Sequence, residues 1–208
     1  MSSAQYVRGY VLAGGASSRF GADKALAEVQ GKSMLGRTVE LLSKVCGDVA
    51  IVAQKDKLGD SFAEAIADRW PGEGPLGGIL TALLNSKEES DGESWNVILS
   101  CDMPFLTPEW LTYLAARAEQ STAEAVVPKS DHGWEPLCAC WRTSAVEMIL
   151  PLFKAGTRKV TEALNALHLE VLDEKDWKRF DTSGRLFWNM NTAADYQEAL
   201  RVFNSENL

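Results

Sequence analysis

The chain has 208 residues, of which 46% are hydrophobic and 24% are charged. This length and balance predict one globular domain spanning residues 1–208 and exclude a disordered chain, which has fewer apolar residues and a larger charge excess. Because 21 Lys and Arg stand against 29 Asp and Glu, the formal net charge is −8. Proteins that bind the nucleic-acid backbone carry the opposite bias, so we expect no nucleic-acid partner.

The sequence also predicts the cellular compartment of the protein. It has no N-terminal succession of basic, apolar and small residues typical of a secretory leader, and no apolar run near the ~20 residues that span a bilayer. We therefore expect a cytoplasmic protein without membrane contact, and free thiols at Cys46, Cys101, Cys138 and Cys140. The spacing of Cys138 and Cys140 would allow both to bind one metal ion, but the two histidines do not complete a zinc-binding pattern. We therefore interpret both cysteines as small residues packed in a strand.

Short apolar runs alternate with helical periodicity in the first part of the chain. The apolar run 6–13 ends at Gly14-Gly15, as expected of a buried strand that enters a tight loop. Ser33 is the predicted N-cap of the next helix, and 49–53 reads as a second strand. The polar stretch that follows leads into a weakly helical segment around 62–66.

The same alternation continues to the end of the chain. The loop 71–75 contains two prolines and two glycines, so it predicts a rigid, sharp turn before a helix. Thr107 followed by Pro108 predicts the start of another helix, and Thr192 predicts the cap of the last one, from about Ala193. The remaining predicted elements are strands at 95–100, 125–128, 137–141 and 171–172, the last at a sheet edge, and helices at 144–153 and 160–167.

Alternating strands and helices with continuously apolar strands predict an α/β fold, with a mostly parallel sheet covered on both faces. Ligands bind such sheets beyond the carboxyl ends of the strands. The loops at Gly14, Pro71, Asp102 and Asn189 each follow or adjoin a predicted strand. We therefore expect these loops to converge on one cleft.

The glycine loop 12–24 is suited to phosphate. Glycines let backbone N–H groups approach phosphate oxygens, while Arg19 offers a planar fork and Lys24 a point charge. The loop is neither a Walker loop, since Ala25 rather than Ser or Thr follows Lys24, nor a Rossmann G-x-G-x-x-G. The alternative is a generic glycine turn with solvated charges.

Two further positions carry candidate ligand-binding groups. Asp102 stands just beyond an apolar strand, and Mg²⁺ is commonly held by one or two carboxylates plus substrate phosphates. The alternative is that Asp102 caps the next turn. Asn189 and Asn191 are two residues apart, so an extended segment directs both amides to one face. The alternative is that they hydrogen-bond local backbone.

Residues 12–24 resemble the signature L-A-G-G-x-S-x-R-M-G-x-D-K of molybdenum cofactor guanylyltransferases, with Phe20 at the methionine position. The resemblance continues, in the family's order, through 71–79, 101–106 and 187–192. The sequence differs from the family where Ala193 follows Thr192 in place of proline, and where no asparagine occurs around Ala53-Gln54.

The resemblance implies a Rossmann-like, three-layer α/β/α nucleotidyltransferase fold. It implies GTP and molybdopterin, or molybdenum cofactor, as substrates, Mg²⁺ as cofactor, and transient contact with cofactor-maturation proteins. By the same resemblance, the nucleotide contacts Leu12, Ala13, Gly14, Gly15, Gly77 and Gly78, with Arg19 and Lys24 at its phosphates and Asp68 at its nucleoside part. Asp102 would hold Mg²⁺ and be catalytic together with Arg19 and Lys24. Asn189 and Asn191 would lie on the pterin side.

Other functions remain open at this point. A related transferase would use CTP or a sugar phosphate acceptor, but related cytidylyltransferases usually carry alanine where this chain has Gly14. Sugar nucleotidyltransferases place their lysine farther from the arginine than Lys24 lies from Arg19. A nucleotide- or cofactor-binding protein without turnover is the third alternative, and the presence of Asp102 beside these two cations argues against it.

Overall fold

The computed structural model describes residues 7–14, 24–54, 63–90 and 93–205. These residues form an eight-stranded sheet in the order β5-β4-β1-β6-β9-β7-β10, with β8 paired to β7, and a separate β2-β3 hairpin. The strands are β1 (Val7–Leu12), β2 (Glu28–Val29), β3 (Lys32–Ser33), β4 (Asp48–Ala53), β5 (Glu64–Ala67), β6 (Trp95–Ser100), β7 (Ala125–Ser130), β8 (Gly133–Trp134), β9 (Cys138–Arg142) and β10 (Leu169–Leu172).

Helices cover both faces of this sheet. They are α1 (Met34–Leu42), α2 (Pro75–Glu89), α3 (Pro108–Gln120), α4 (Ala145–Lys154), α5 (Val160–Leu164), α6 (Glu174–Trp177) and α7 (Ala193–Ser205), with 3₁₀ turns at Lys24–Leu26 and Lys178–Phe180. Side chains of β1 alternate between two cores: Val11 packs with α1 and α3, whereas Tyr10 and Leu12 pack with α2 and α4. The predicted three-layer α/β/α architecture is confirmed.

Most neighbouring strands run parallel. Strand β1 lies between β4 and β6 and is parallel to both, with Leu12 opposite Val52 and Ser100. The exceptions are β9, which is antiparallel to β6 and to β7, and β8, which is antiparallel to β7. The chain leaves β1 toward β4 and later returns to β6 on the other side of β1. This reversal of strand order puts the ligand-binding switch point of the fold between the carboxyl ends of β1 and β6.

The predicted helix starts are confirmed by their hydrogen bonds. The Ser33 side chain accepts the Gly36 N–H at 3.1 Å, and the Thr107 side chain accepts the Trp110 N–H at 3.2 Å. At α7, the Thr192 hydroxyl accepts the Asp195 N–H, while the Asp195 carboxylate accepts the Thr192 N–H. This reciprocal pair is a capping box.

The prediction of a weakly helical segment around 62–66 was wrong. Residues Glu64–Ala67 form β5, an edge strand parallel to β4. Alanine and glutamate favour helix locally, but main-chain pairing with β4 overrides that preference. The β2-β3 hairpin was not predicted. Its turn residues Gln30 and Gly31 have the positive φ angles of a tight hairpin turn, 53° and 75°.

None of the helices in the described ranges combines the length and apolar character needed to cross a bilayer. All four thiols are free and buried. Burial raises the pKa of the Cys46 thiol to about 12, and it raises the pKa of Cys138 to about 12 as well. Both thiols are therefore poor nucleophiles near neutral pH. That residues 1–208 make one domain stays a prediction.

Gly9 in β1 allows a test of how closely α1 packs against the sheet. A Cβ there would lie 2.6 Å from the Leu42 Cγ and Cδ2 atoms, because α1 packs directly on the backbone of β1. We expect Gly9→Ala to lower the free energy of unfolding by about 1–3 kcal/mol in urea titrations. Gly14→Ala is the control, since its Cβ meets no atom of the described residues within 4 Å, and its effect should stay below about 0.5 kcal/mol. Equal effects of the two substitutions would refute this account of the packing.

Candidate active site

A cavity of about 340 Å³ opens at the predicted edge of the sheet. Its walls come from the ends of β1, β4 and β6, from the residue after β5, and from the start of α2. The lining residues are Leu12, Gly14, Val52, Gln54, Asp68, Gly72, Gly74, Pro75, Gly78, Ser100 and Leu137. The loop at Gly14 and the loop 71–75 thus converge on one cleft, as predicted.

The N-terminus of α2 borders this cavity. Its N-cap residue is Gly74, which has φ 85° and supplies no side-chain hydrogen bond to the first turn, and Pro75 follows at the first helical position. Glycine is required here because other residues rarely adopt this φ. A helix N-terminus without a side-chain cap presents backbone N–H groups and the positive end of the helix dipole. This wall of the cavity therefore favours an anionic or hydrogen-bond-accepting ligand group.

Asp68 lies in the cavity wall just after β5. Its Oδ1 atom accepts the Trp70 N–H at 3.0 Å and the Thr81 hydroxyl at 3.1 Å. These bonds tie the turn after β5 to α2. No hydrogen bond within the described residues engages the other oxygen, Oδ2. One oxygen of Asp68 thus holds the local structure, while the other makes no hydrogen bond to the described residues.

Asp102 follows β6 directly and is only 8% exposed. The Ser100 hydroxyl, which lines the cavity, donates a 2.5 Å hydrogen bond to the Asp102 Oδ1 atom. Asp102 itself is not among the residues that line the cavity, but this bond joins its carboxylate to a side chain that does. The Asp102 backbone carbonyl also accepts the Met190 N–H at 2.8 Å. The Asp102 loop is therefore joined both to the cavity and to the segment around Met190.

Asn189 and Asn191 flank buried Met190 and so lie beside the Asp102 loop. The Asn189 side-chain amide donates to the Phe187 carbonyl at 3.1 Å, which agrees with the local-backbone alternative for that group. The backbone N–H of Asn191 donates to Asp195, at the start of α7. Neither asparagine lines the cavity. Their position is next to the cavity, on the Asp102 side.

Glu135 is a carboxylate near this site that the sequence analysis missed. It is 6% exposed, and the Ser130 hydroxyl donates to its Oε1 atom at 2.6 Å. Burial raises the pKa of Glu135, and the negative charge of Asp102 adds to the rise. The available signal was an acidic residue between Trp134 and Pro136, directly before the apolar strand 137–141.

The other predicted site residues divide into three groups. Leu12, Gly14, Asp68 and Gly78 line the cavity, as expected of nucleotide contacts. Ala13 and Gly77 do not, since Ala13 packs in the opposite core and a Gly77 Cβ would meet Trp70 at 3.2 Å. Gly15 and Arg19 lie outside the described residues, and Lys24 is described only as the start of a 3₁₀ turn.

The cavity also contains groups that the sequence analysis did not assign. Gln54 lines it at the end of β4, where the family often has asparagine, so an amide is present after all. Leu137 enters the cavity from the residue before β9. This position was not evident because β9 runs antiparallel to its neighbours, which brings its start rather than its end to this edge.

Comparison with known proteins identifies the family of the chain. Residues 9–171 match the family described as the MobA-like NTP transferase domain. The chain belongs to this family. It is 32% identical to the molybdenum cofactor guanylyltransferase of Desulfosudis oleivorans over 93% of this chain and 94% of the relative. It is 30% identical to a probable molybdenum cofactor guanylyltransferase of Chloroflexus aggregans, over 96% of each.

A solved structure agrees with this assignment. The molybdopterin-guanine dinucleotide biosynthesis protein A of Archaeoglobus fulgidus superposes with a TM-score of 0.81 and 28% identity, covering 95% of this chain and 99% of that one. The predictions of a nucleotidyltransferase, and of a relative of the molybdenum cofactor guanylyltransferases, are confirmed.

The buried charge of Glu135 has a measurable effect on stability. Its pKa in the folded protein lies above the ordinary 4.5, so the native state loses stability relative to the unfolded chain as pH rises through that interval. Glutamine keeps the oxygen that Ser130 contacts and carries no charge. We expect Glu135→Gln to raise the melting temperature at pH 8, with a difference that shrinks toward pH 4.5. A variant less stable than wild type at pH 8 would contradict the raised pKa.

Proposed function

We propose that the chain transfers GMP from GTP to the terminal phosphate of molybdopterin or molybdenum cofactor, forming the guanine dinucleotide cofactor and pyrophosphate. The observation that carries the proposal is the hydrogen-bonded pair of Ser100 and Asp102, at the border of a cavity located at the switch point of the sheet. Family membership and the names of the relatives support the same reaction. Cytidylyl transfer, sugar nucleotide synthesis and nucleotide binding without turnover are the competing outcomes.

The nucleoside part of GTP occupies the side of the cavity formed by Asp68 and Gln54. Guanine presents two adjacent donors, the N1–H and the exocyclic amine, and a carboxylate oxygen is a matched acceptor for them. The Oδ2 atom of Asp68 has no hydrogen-bond partner among the described residues, so it can accept from the guanine edge. Gln54 adds an amide that both donates and accepts.

The triphosphate follows the glycine loop from Gly14 toward Lys24. Arg19 and Lys24 neutralise its charge in this proposal, in agreement with their positions in the family signature. The backbone of that loop provides further N–H donors, as phosphate-binding loops do. The net charge of the protein is −8, so these two cations give the site the positive charge that the rest of the chain lacks.

The residues around Asp102 fit a magnesium ion. The Asp102 carboxylate and the Ser100 hydroxyl are hard oxygen groups, and the Ser100 bond fixes the carboxylate orientation. When bound, Mg²⁺ supplies positive charge that offsets charge on the reacting phosphates. Asp102 holds the ion in this proposal, and Ser100 orients Asp102.

The reaction is a direct in-line displacement without an enzyme nucleophile. An oxygen of the acceptor phosphate forms the new bond to the α-phosphorus of GTP, and the bond from that phosphorus to the bridging oxygen of pyrophosphate breaks. The acceptor approaches from the side of Asn189 and Asn191, because Met190 between them is bound to the Asp102 backbone. Catalysis then depends on positioning and electrostatics rather than on covalent chemistry.

The first test is pyrophosphate release from GTP, CTP and ATP with Mg²⁺ and molybdopterin or molybdenum cofactor. We expect release from GTP alone, and a decrease of about 100-fold or more in Asp102→Ala. Glu109→Ala, an exposed carboxylate in the first turn of α3, is the matched control and should keep full activity. Release from CTP would assign the chain to cytidylyl transfer, and no release from any nucleotide would favour a binding protein.

A second test addresses guanine recognition by Asp68. Asp68→Asn keeps an Oδ1 acceptor for Trp70 and Thr81, so stability should change little. We expect GTP affinity to fall by about 10- to 100-fold in calorimetric titrations, because a hydrogen bond to a charged group is lost. Inosine triphosphate keeps the N1–H but lacks the exocyclic amine, so its affinity should fall by less than that of GTP. An equal loss for the two nucleotides would show that Asp68 does not read the guanine amine.

A further inference from the structure

We propose that Arg158 is a positioning residue for the nucleotide cavity, and that it acts by holding the loop 71–75 through Glu73. This inference rests on the proposed function, which places a nucleotide in that cavity, and it adds a residue that does not itself line the cavity. Arg158 lies in the connection between α4 and α5, whereas the loop 71–75 leads into α2. The two segments meet at an ion pair, in which Arg158 Nε donates to the Glu73 Oε2 atom at 2.5 Å.

The loop 71–75 presents two backbone donors at the cavity. Gly72 and Gly74 line the cavity, with φ angles of 82° and 85°. Their N–H groups make no hydrogen bond within the described residues, and the two prolines of the loop have no N–H. Oxygen atoms of a ligand can therefore accept from both glycines, as they do in other glycine loops. The direction of these donors depends on Glu73, the residue between them.

Few contacts hold this loop in place. The Glu73 N–H donates to the Trp70 carbonyl at 3.1 Å, which closes a local turn. Of the hydrogen bonds and ion pairs among the described residues, only those between Glu73 and Arg158 join residues 71–74 to a part of the chain outside the segment from β5 to α2. Residues 71–75 are all exposed, so packing contributes little to their order. The conformation of the loop therefore depends on Arg158.

Arg158 is itself fixed against the end of α4. Its Nη1 atom donates to the Phe153 carbonyl at 2.7 Å and to the Thr157 carbonyl at 3.0 Å, and its guanidinium lies 4.1 Å from the centre of the Phe153 ring. Phe153 is buried, and its ring packs against the Trp70 ring with 5.2 Å between their centres. An arginine can make all these contacts at once because its donors form a rigid planar fork. Arg158 thus links the loop to a residue of the core.

The exposure of the ion pair separates its effect on folding from its effect on binding. The side chains of Arg158 and Glu73 are 42% and 45% exposed, and exposed pairs contribute little to the free energy of unfolding. Nucleotide affinity depends instead on the order of the loop, because the apparent affinity falls with the fraction of molecules whose loop has the binding conformation. Loss of the pair should therefore weaken nucleotide binding while the fold stays intact.

The test compares the wild-type chain with Arg158→Ala, Glu73→Gln and the double variant. We expect each single substitution to raise the Kd for GTP in calorimetric titrations, and the KM for GTP, by about 3- to 10-fold, while kcat changes by less than about 2-fold. The double variant should bind no more weakly than either single variant, because both substitutions remove the same contact. Arg158→Lys should recover part of the affinity, since lysine keeps the charge but lacks the fork.

Arg117 provides the matched control. Like Arg158, it is a partly exposed arginine that is hydrogen-bonded to a glutamate, but its partner is Glu170 and the pair joins α3 to β10. Arg117→Ala should bind GTP as tightly as the wild-type chain. Wild-type affinity in Arg158→Ala, or a double variant whose loss equals the product of the two single losses, would overturn the positioning role.

A measurement without nucleotide separates this inference from the proposed function. Relaxation of the ¹⁵N nuclei of Gly72 and Gly74 in the free protein reports the motion of the two donors. Arg158→Ala should increase that motion relative to both the wild-type chain and Arg117→Ala. Increased motion, in a protein whose wild-type form transfers no GMP, supports the hold on the loop and overturns the transfer. Unchanged motion overturns the hold on the loop and leaves the transfer standing.

Discussion

The organisation of the site depends on the direction of β9. This strand runs antiparallel between β6 and β7, so residues that precede it, rather than residues that follow it, reach the ligand edge of the sheet. In a purely parallel sheet the residues before a strand lie at the opposite edge. The inversion brings Leu137 into the cavity. The loop of one hairpin thereby joins a site otherwise built from βα loops.

A second constraint is how the C-terminal part of the chain is attached. The Met190 N–H binds the Asp102 carbonyl, and α7 begins with a capping box directly after that contact. Farther along α7, the Tyr196 hydroxyl donates to the Glu28 carbonyl of the β2-β3 hairpin, at 2.7 Å. The helix therefore connects the element that follows the glycine loop with the loop that carries Asp102. The Met190 bond joins two backbone groups and does not depend on side-chain identity, whereas the capping box and the Tyr196 bond each need a particular side chain.

Sequence reasoning predicted most of the fold because apolar periodicity and capping residues are local signals. Ser33, Thr107 and Thr192 were identified as helix caps from the residue type and its neighbours alone. The edge strand β5 was missed because its composition favours a helix and only pairing with β4 decides its structure. Local preference is weakest where a segment is short and half exposed.

The site was predicted less completely than the fold, for a related reason. A motif gives the residues of a loop but not the face to which each side chain points, so Ala13 and Gly77 were grouped with Leu12 and Gly78, which line the cavity. The position of Leu137 in the cavity follows from the antiparallel register of β9 with β6, two distant segments, which no local pattern encodes. The structure supplies that register directly.

The hairpin between β7 and β8 has one further consequence. Its tip, at Asp131 and His132, is exposed, whereas Glu135 is anchored by the Pro128 and Cys138 backbone bonds just behind it. Exposed hairpin tips tolerate insertions and changes of residue far better than anchored backbone does. The sequence of the tip can therefore vary among related proteins while the position of Glu135 stays fixed. Contacts made by the tip can therefore change without moving the backbone of Glu135.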